Sequence, residues 1–421
     1  MTEAFRAPIG TRDVLPPESA RWAALVARFA THVEAAGYGL VHSPIFEDLG
    51  VFQRVGEGTD VVRKEMYELT DKGGRHLALR PEGTASVVRA YNQHRPTPPW
   101  KAWYAAPSFR YERPQAGRYR QHHQVGVEAL GSADPDVDVE VIVLLADFYT
   151  GLGLRDVQLK VNSMGDPATR VRYVDALRAW LVERLDAIDP ADHDTVHQHP
   201  MRVLDSKREA TRAVTAEAPE VGEYLSDDAV AHFERVRAGL DAAGVPYVRE
   251  PRLVRGLDYY THTTFEFASG ALDTAQNGIG GGGRYDGLAE ALGGQPTPGV
   301  GFGSGIERIL LACDAEETFA VAERELDCFV VDTTDGTSAR DLTLRLRRDG
   351  LAADRAWDGR SMKAQMKAAN RSGARLAVIV GEDEAADGAA TVRDLRGDRP
   401  QERVAVSDLA DHVRKLLSDG R

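Results

Sequence analysis

Phe109-Arg110-Tyr111-Glu112-Arg113-Pro114-Gln115-Ala116-Gly117-Arg118-Tyr119-Arg120-Gln121-His122-His123-Gln124-Val125-Gly126-Val127-Glu128 is the stretch on which the reading of this chain turns. Four arginines and two carboxylates fall within it. Charge at that density is unfavourable to bury unless an anion sits among the guanidinium groups. Read as a hairpin, the stretch puts Arg110 and Glu112 on one face of its first strand and Gln124, Gly126 and Glu128 on one face of its second. Val125, Val127 and Ala129 then point the other way, into a core. Pro114 to Gly117 is the expected loop. One face therefore offers guanidinium forks for phosphate or carboxylate, with a carboxylate at its far end for a cation or an N–H donor. The competing reading is a solvated, charge-laced edge hairpin.

Upstream, Glu18 to Gly37 reads as an amphipathic helix carrying Trp22, Leu25, Val26, Phe29 and Val33, and Leu40 to Phe46 as an extended segment. Leu77 to Thr84 reads as a strand running into a helix over Ala85 to Tyr91, with Thr84 as its N-cap. Downstream come a helix over Val137 to Leu152 and a strand over Val157 to Asn162. From about Asp166 to Gly244 the composition shifts to Glu, Asp, Arg and Ala in helical pattern, which predicts a helical insertion. Strand signals return at Arg252 to Val254 and Thr263 to Phe267. A boundary is expected near Arg324, followed by alternating strand and helix signals. That last region has about 95 residues, a usual size for one domain.

The whole chain has 421 residues, enough for two or three domains. No apolar run long enough for a membrane span occurs, and Met1 to Arg6 lacks the apolar stretch of a signal peptide. The only cysteines, Cys313 and Cys328, lie in apolar surroundings and read as buried free thiols of a cytosolic protein. Neither they nor the histidines have zinc-ligand spacing, so no metal ligand is assigned. The net charge of −13 argues against wholesale non-specific nucleic-acid binding but leaves room for a local basic surface.

Two further segments carry chemistry. The glycines at 280–283 match neither a phosphate-loop nor a dinucleotide fingerprint, and a flexible turn is their plain reading. Arg308 alters the weighing. It sits near the start of a helix behind the glycine-rich Gly299 to Gly305, where N–H groups and the helix dipole favour an anion. In Leu253 to Tyr260, Arg255 lies in an apolar stretch before two adjacent tyrosines, which pack their rings and still offer hydroxyls.

Together these segments resemble the class II aminoacyl-tRNA synthetases, and among them the histidyl-tRNA synthetase family. Gly37 to Glu47, with Pro44, resembles the first class II motif, residues 109–128 the second, and Gly299 to Arg308 the third. Leu253 to Tyr260 and Arg80 to Thr84 resemble the histidine-specific segments. The resemblance implies an α+β catalytic domain with a mostly antiparallel sheet over 1–324, a helical insertion at about 166–245, and an anticodon-binding-like α/β domain over 325–421. It implies a histidine–tRNA ligase that uses ATP with Mg2+, passes through a histidyl-adenylate, and works as a cytoplasmic homodimer on tRNA(His). By matched position, Arg110 and Arg255 are catalytic. Glu82, Thr84, Gln124, Glu128, Arg255, Tyr259 and Tyr260 bind histidine. Arg110, Glu112, Arg118 and Arg308 bind ATP, and Arg113 and Gln115 meet the tRNA acceptor end. His122 departs from the hydrocarbon ring usual against adenine. The alternative is a catalytically silent, synthetase-like regulatory subunit of histidine biosynthesis.

Overall fold

The computed structural model describes residues 4–56, 59, 61–115, 117–204, 206–253, 259–272, 277–322 and 325–419. It divides into two compact units, Met1–Val321 and Ala322–Arg421.

The first unit is built on an eight-stranded sheet. Its strands, in spatial order, are β1 (Gly39–Leu40), β5 (Trp100–Phe109), β6 (Gln121–Leu130), β11 (Gly299–Gly305), β10 (Gly278–Arg284), β9 (Thr261–Ser269), β7 (Val157–Ser163) and β8 (Tyr247–Arg249). Only the two short edge strands pair in parallel, β1 with β5 and β8 with β7. A smaller antiparallel sheet orders β2 (Phe46–Asp48), β4 (His76–Leu79) and β3 (Tyr67–Thr70). Alternation sorts the faces of the large sheet. Val125, Val127 and Ala129 of β6 enter one core with Leu25, Phe29 and Val33 of the helix Glu18–Glu34 and with Val141, Leu145 and Phe148 of the helix Pro135–Gly151. The other face is left for Gln124 and Glu128.

The helices between 167 and 224 share a core of their own, made by Tyr173, Leu177, Leu181, Val196 and Val221 among others. The helix Asp227–Ala242 packs Phe233, Val236 and Leu240 into the main core instead.

The second unit is a five-stranded sheet in the order β13 (Ala353–Arg355), β12 (Cys328–Asp332), β14 (Leu376–Val380), β15 (Ala389–Asp394), β16 (Glu402–Ala405). Its first three strands are parallel and the rest antiparallel. Apolar clusters lie on both faces, as the continuous run Leu376-Ala377-Val378-Ile379-Val380 requires.

Several details differ from the sequence reading. The charged hairpin is shorter: β5 stops at Phe109 and β6 starts at Gln121, so Arg110 and Glu112 lie in the connecting arm and not on a strand. Among the described residues of that arm the cross-pairing is reduced to a single bridge, Gln115 with Arg118, and a hydrogen bond from the Arg110 N–H to the Arg120 carbonyl. Thr84 is the first residue of the helix Thr84–His94, not its cap; the Glu82 carboxylate takes that role, accepting from the N–H groups of Thr84 and Ala85. The four glycines form strand β10 rather than a turn. Arg252 and Leu253 belong to no strand; the nearby strand is β8.

Candidate active site

Residues from β6, β9, β10 and β11, the arm 110–120 and the start of the helix Ile306–Ala315 enclose a cleft of about 240 Å³. Arg110, Glu112, Arg118, Gln124 and Arg308 all line it, together with Gly280 and Gly281. Arg110 is anchored by its Nε, which donates to the Pro81 carbonyl at 2.9 Å. Arg308 donates from Nη1 to the Gly278 carbonyl at 2.6 Å and from Nε to that of Gly117 at 3.3 Å. Arg118 pairs with Glu112. Burial depresses the Arg308 pKa, and the neighbouring charges of Arg118 and Arg110 push the same way. Three guanidinium groups facing one space repel each other until a multivalent anion enters.

His122 also lines the cleft. Burial, then the charges of Arg110, His123 and Arg308, hold its pKa down at about 3. Its ring is therefore neutral at physiological pH and suited to lie against a base.

Glu82, Thr84 and Glu128 form a second, buried cluster, with the half-buried Tyr259 and Tyr260 beside it. Glu128 has no exposed surface. One carboxylate oxygen accepts from Thr84 Oγ1 at 2.7 Å and lies 3.5 Å from the Tyr104 hydroxyl; the other accepts from the Tyr285 hydroxyl. Burial raises the Glu128 pKa to about 8. The Tyr259 ring centroid is 4.7 Å from that of Tyr260 and 5.9 Å from that of Tyr285, against whose ring it stands edge-on. Arg255 lies outside the described residues.

Gln124 and Glu128 lie four residues apart with no bulge between them: β6 keeps unbroken register with both β5 and β11. The gap is filled by Tyr104. A Cβ on Gly126 would lie 2.4 Å from Tyr104 Cζ, so glycine is what admits the phenol between the two side chains. On the facing strand, a Cβ on Gly301 would lie 2.0 Å from a Glu128 oxygen. The carboxylate can occupy its place because Gly301 has no Cβ.

Sequence reasoning assigned no role to Tyr104, Tyr285, Glu266 or Glu307. Tyr285 directly follows the glycine run and Arg284, and that position was its only signal. Glu307 accepts from the His123 N–H and lies 3.0 Å from His123 Nδ1, fixing β6 to the helix Ile306–Ala315. Glu266 reaches the cleft from β9. Arg113 and Gln115 are exposed on the arm, where Gln115 and Arg118 exchange backbone hydrogen bonds of 3.1 and 2.9 Å.

The second unit has its own open cleft of about 610 Å³ at the carboxyl ends of β12 and β13. These strands send the chain to opposite sides of β12, the position where α/β sheets bind ligands. Trp357, 57% exposed, lines it with the Arg355 guanidinium 4.1 Å from its ring centroid.

Known proteins place both units. A family profile described as histidyl-tRNA synthetase matches residues 10–309, and one described as an anticodon binding domain matches residues 327–416. A histidine–tRNA ligase of Rhodococcus opacus is 47% identical over 98% of each chain. One of Geobacillus kaustophilus is 45% identical over 98% of this chain and 99% of its own. The apo histidyl-tRNA synthetase of S. aureus superposes with a TM-score of 0.83 at 36% identity, covering 98% of this chain and all of that one. With likeness at this level over nearly the whole chain, and profiles matching both units, the chain belongs to the histidyl-tRNA synthetase family.

Proposed function

We propose that this chain attaches L-histidine to tRNA(His) in two steps, with the roles divided between its two clusters. The convergence of Arg110, Arg118 and Arg308 on one cleft carries the reading. Histidine carboxylate attacks the α-phosphorus of ATP and pyrophosphate leaves. The terminal adenosine hydroxyl of the tRNA then attacks the acyl carbon, releasing AMP. Arg110 holds the α-phosphate, and Arg118 and Arg308 hold the outer phosphates, with Glu112 beside them. No side chain needs to form a covalent intermediate; orientation and fixed charge supply the rate.

Gln124, Glu82 and Thr84 orient the α-amino and α-carboxylate groups, Tyr259 lines the pocket, and Glu128 and Tyr260 pair with the imidazole nitrogens. Arg255 acts where carboxylate meets phosphorus. Arg255→Ala is expected to cut kcat for adenylation by roughly two orders of magnitude, the scale of losing one transition-state donor. A rise in the histidine KM alone would make it a ground-state binder.

Magnesium fits as a companion of ATP. Among the described residues no three His, Cys, Asp or Glu side chains converge on a metal-sized site. Glu112 and Glu266 do face the arginine cleft, and magnesium is commonly held by one or two carboxylates plus substrate phosphates. The second unit reads the anticodon, with the exposed Trp357 as a stacking platform for an unpaired base. Arg113 and Gln115 meet the acceptor end.

A homodimer fits the exposed Leu40, Ile45 and Phe46 around the first motif; sedimentation of the purified chain tests it. A cytoplasmic location fits the two unpaired cysteines, and no described helix is long and apolar enough to cross a membrane. Histidine-dependent exchange between pyrophosphate and ATP, together with tRNA charging, tests the whole reading. A regulatory subunit that only senses ligand would give neither.

A further inference from the structure

The β9–β10 ladder shifts register at two places, between Gly278 and Gly280 and between Gly283 and Arg284, and the second lies beside the amino-acid pocket. Gly283 pairs with Thr264 but Arg284 pairs with Thr261, so His262 and Thr263 are looped out of register. His262 takes a left-handed backbone, φ 46°, uncommon for a residue with a side chain. Bulges of this kind re-aim neighbouring side chains and concentrate near active sites. Immediately before this one stand Tyr259 and Tyr260.

The bulge is fastened on three sides. The His262 N–H donates to the Gly165 carbonyl at 2.7 Å, and the His262 carbonyl accepts from the Met164 N–H at 2.6 Å. The His262 ring stacks on His232 with centroids 4.6 Å apart and planes 28° apart. Its Nδ1 is buried without a hydrogen bond. His232 in turn lies 3.4 Å from both Asp138 Oδ1 and Thr263 Oγ1. Asp138 accepts from the Nε of the buried Arg284 at 3.0 and 3.2 Å and also from its Nη2. Arg284 is followed by Tyr285, whose hydroxyl donates to Glu128.

We propose that His262 is a positioning residue for amino-acid recognition, its bulge and its stack on His232 aiming Tyr259 and Tyr260 at the Glu128 cluster. The inference rests on the reading of Tyr260 and Glu128 as the groups that pair with imidazole. It makes the helix Asp227–Ala242, which carries His232, part of the amino-acid pocket's support although it touches no substrate. An unpaired buried nitrogen is an unfavourable thing to keep. A geometric duty for the ring explains its presence.

The test is steady-state ATP–pyrophosphate exchange by the full chain, with histidine and ATP varied separately and melting temperatures recorded. His262→Asn tolerates the left-handed backbone and removes the ring. His232→Gln keeps a polar contact for Asp138 and removes the stack. Each should raise the histidine KM roughly two- to tenfold, the span of an aromatic pair contact, and leave the ATP KM within about twofold. The double variant should be no worse than the worse single one. His232→Phe, which restores a stacking ring, should return the histidine KM close to the parent value even if the Gln variant melts early. An unchanged histidine KM, equal losses for ATP and histidine, or additive effects in the double variant would overturn the proposal. Tyr260→Phe separates the two levels. If it leaves the histidine KM unchanged, the reading of Tyr260 is at fault; if it raises KM while the His262 and His232 variants do not, only the positioning role fails.

Discussion

Glu128 is a carboxylate with no water contact, surrounded by hydroxyls and without a basic side chain among its bonded partners. Burial lifts its pKa from 4.5 to about 8, so the folded chain holds a proton that the unfolded chain surrenders in mild acid. The sign follows. Its contribution to stability is full below about pH 4.5 and is lost as pH rises through 8. The ligand-free parent should therefore lose melting temperature between pH 5 and 8 relative to Glu128→Gln, whose amide does not titrate. Equal pH slopes for the two proteins would show that Glu128 is ionised throughout. If the carboxylate accepts from imidazole, Glu128→Gln should also raise the histidine KM strongly and leave the ATP KM nearly unchanged. Discrimination follows because a side chain without an N–H cannot donate to a carboxylate that the fold shields from water. Tyr104 sets a second expectation. Gly126→Ala would push a methyl to within 2.4 Å of its ring and 2.5 Å of the Phe302 carbonyl. Strand β6 cannot move away because it is paired on both sides, so the overpacking should destabilise the chain by roughly 1–3 kcal/mol in urea melts.

At the scale of the element, the arm 110–120 and the strands that carry it behave differently. The strands were legible: Val125, Val127 and Ala129 alternate with Gln124, Gly126 and Glu128, and alternation is what a sheet with one buried face imposes. The arm was not. Its residues also alternate, yet it takes its shape from contacts distant in sequence. The Arg120 N–H donates to the Gly10 carbonyl and the Tyr111 N–H to that of Glu65. No local pattern carries such information. The same limit explains the glycine strand β10, whose shape is set by its neighbours β9 and β11; the cap was misplaced locally, because a glutamate two residues before Thr84 does the capping. The arm's tip, with Arg113 and Gln115 exposed, gives an expectation of its own. Replacing both with alanine should slow transfer to tRNA far more than adenylate formation, because phosphate and base-edge contacts belong to the second step alone. Single-turnover measurement of each half-reaction decides it; equal losses would remove the acceptor-end role.

Across the whole molecule, the chain ending at Val321 retains the arginine cleft and the Glu128 cluster and lacks the unit that the anticodon-binding profile matches. It should still catalyse histidine-dependent pyrophosphate exchange but charge tRNA poorly. Undiminished charging would exclude anticodon reading by Ala322–Arg421. Separateness of the second unit was visible in its strand–helix alternation, and its helices at Thr337–Arg348 and Met362–Arg371 present Arg345, Arg347, Arg348, Lys363 and Lys367 to solvent. Its Trp357 cleft was not visible, because it depends on which side of β12 each connection crosses.

The pairing of β6 with β11 carries a further consequence, for synthesis. Residues 121–130 must wait for residues 299–305 before the floor of the arginine cleft exists. A polypeptide still emerging from the ribosome therefore presents β6 with one bare hydrogen-bonding edge, and an unpaired edge is a template for another chain. Nascent chains arrested shortly before Gly299 should be protease-sensitive at β6 and prone to capture by chaperones. Those arrested far enough beyond Ala315 for the helix to clear the exit tunnel should be resistant. The enzyme's capacity to hold a nucleotide is thus acquired late and all at once.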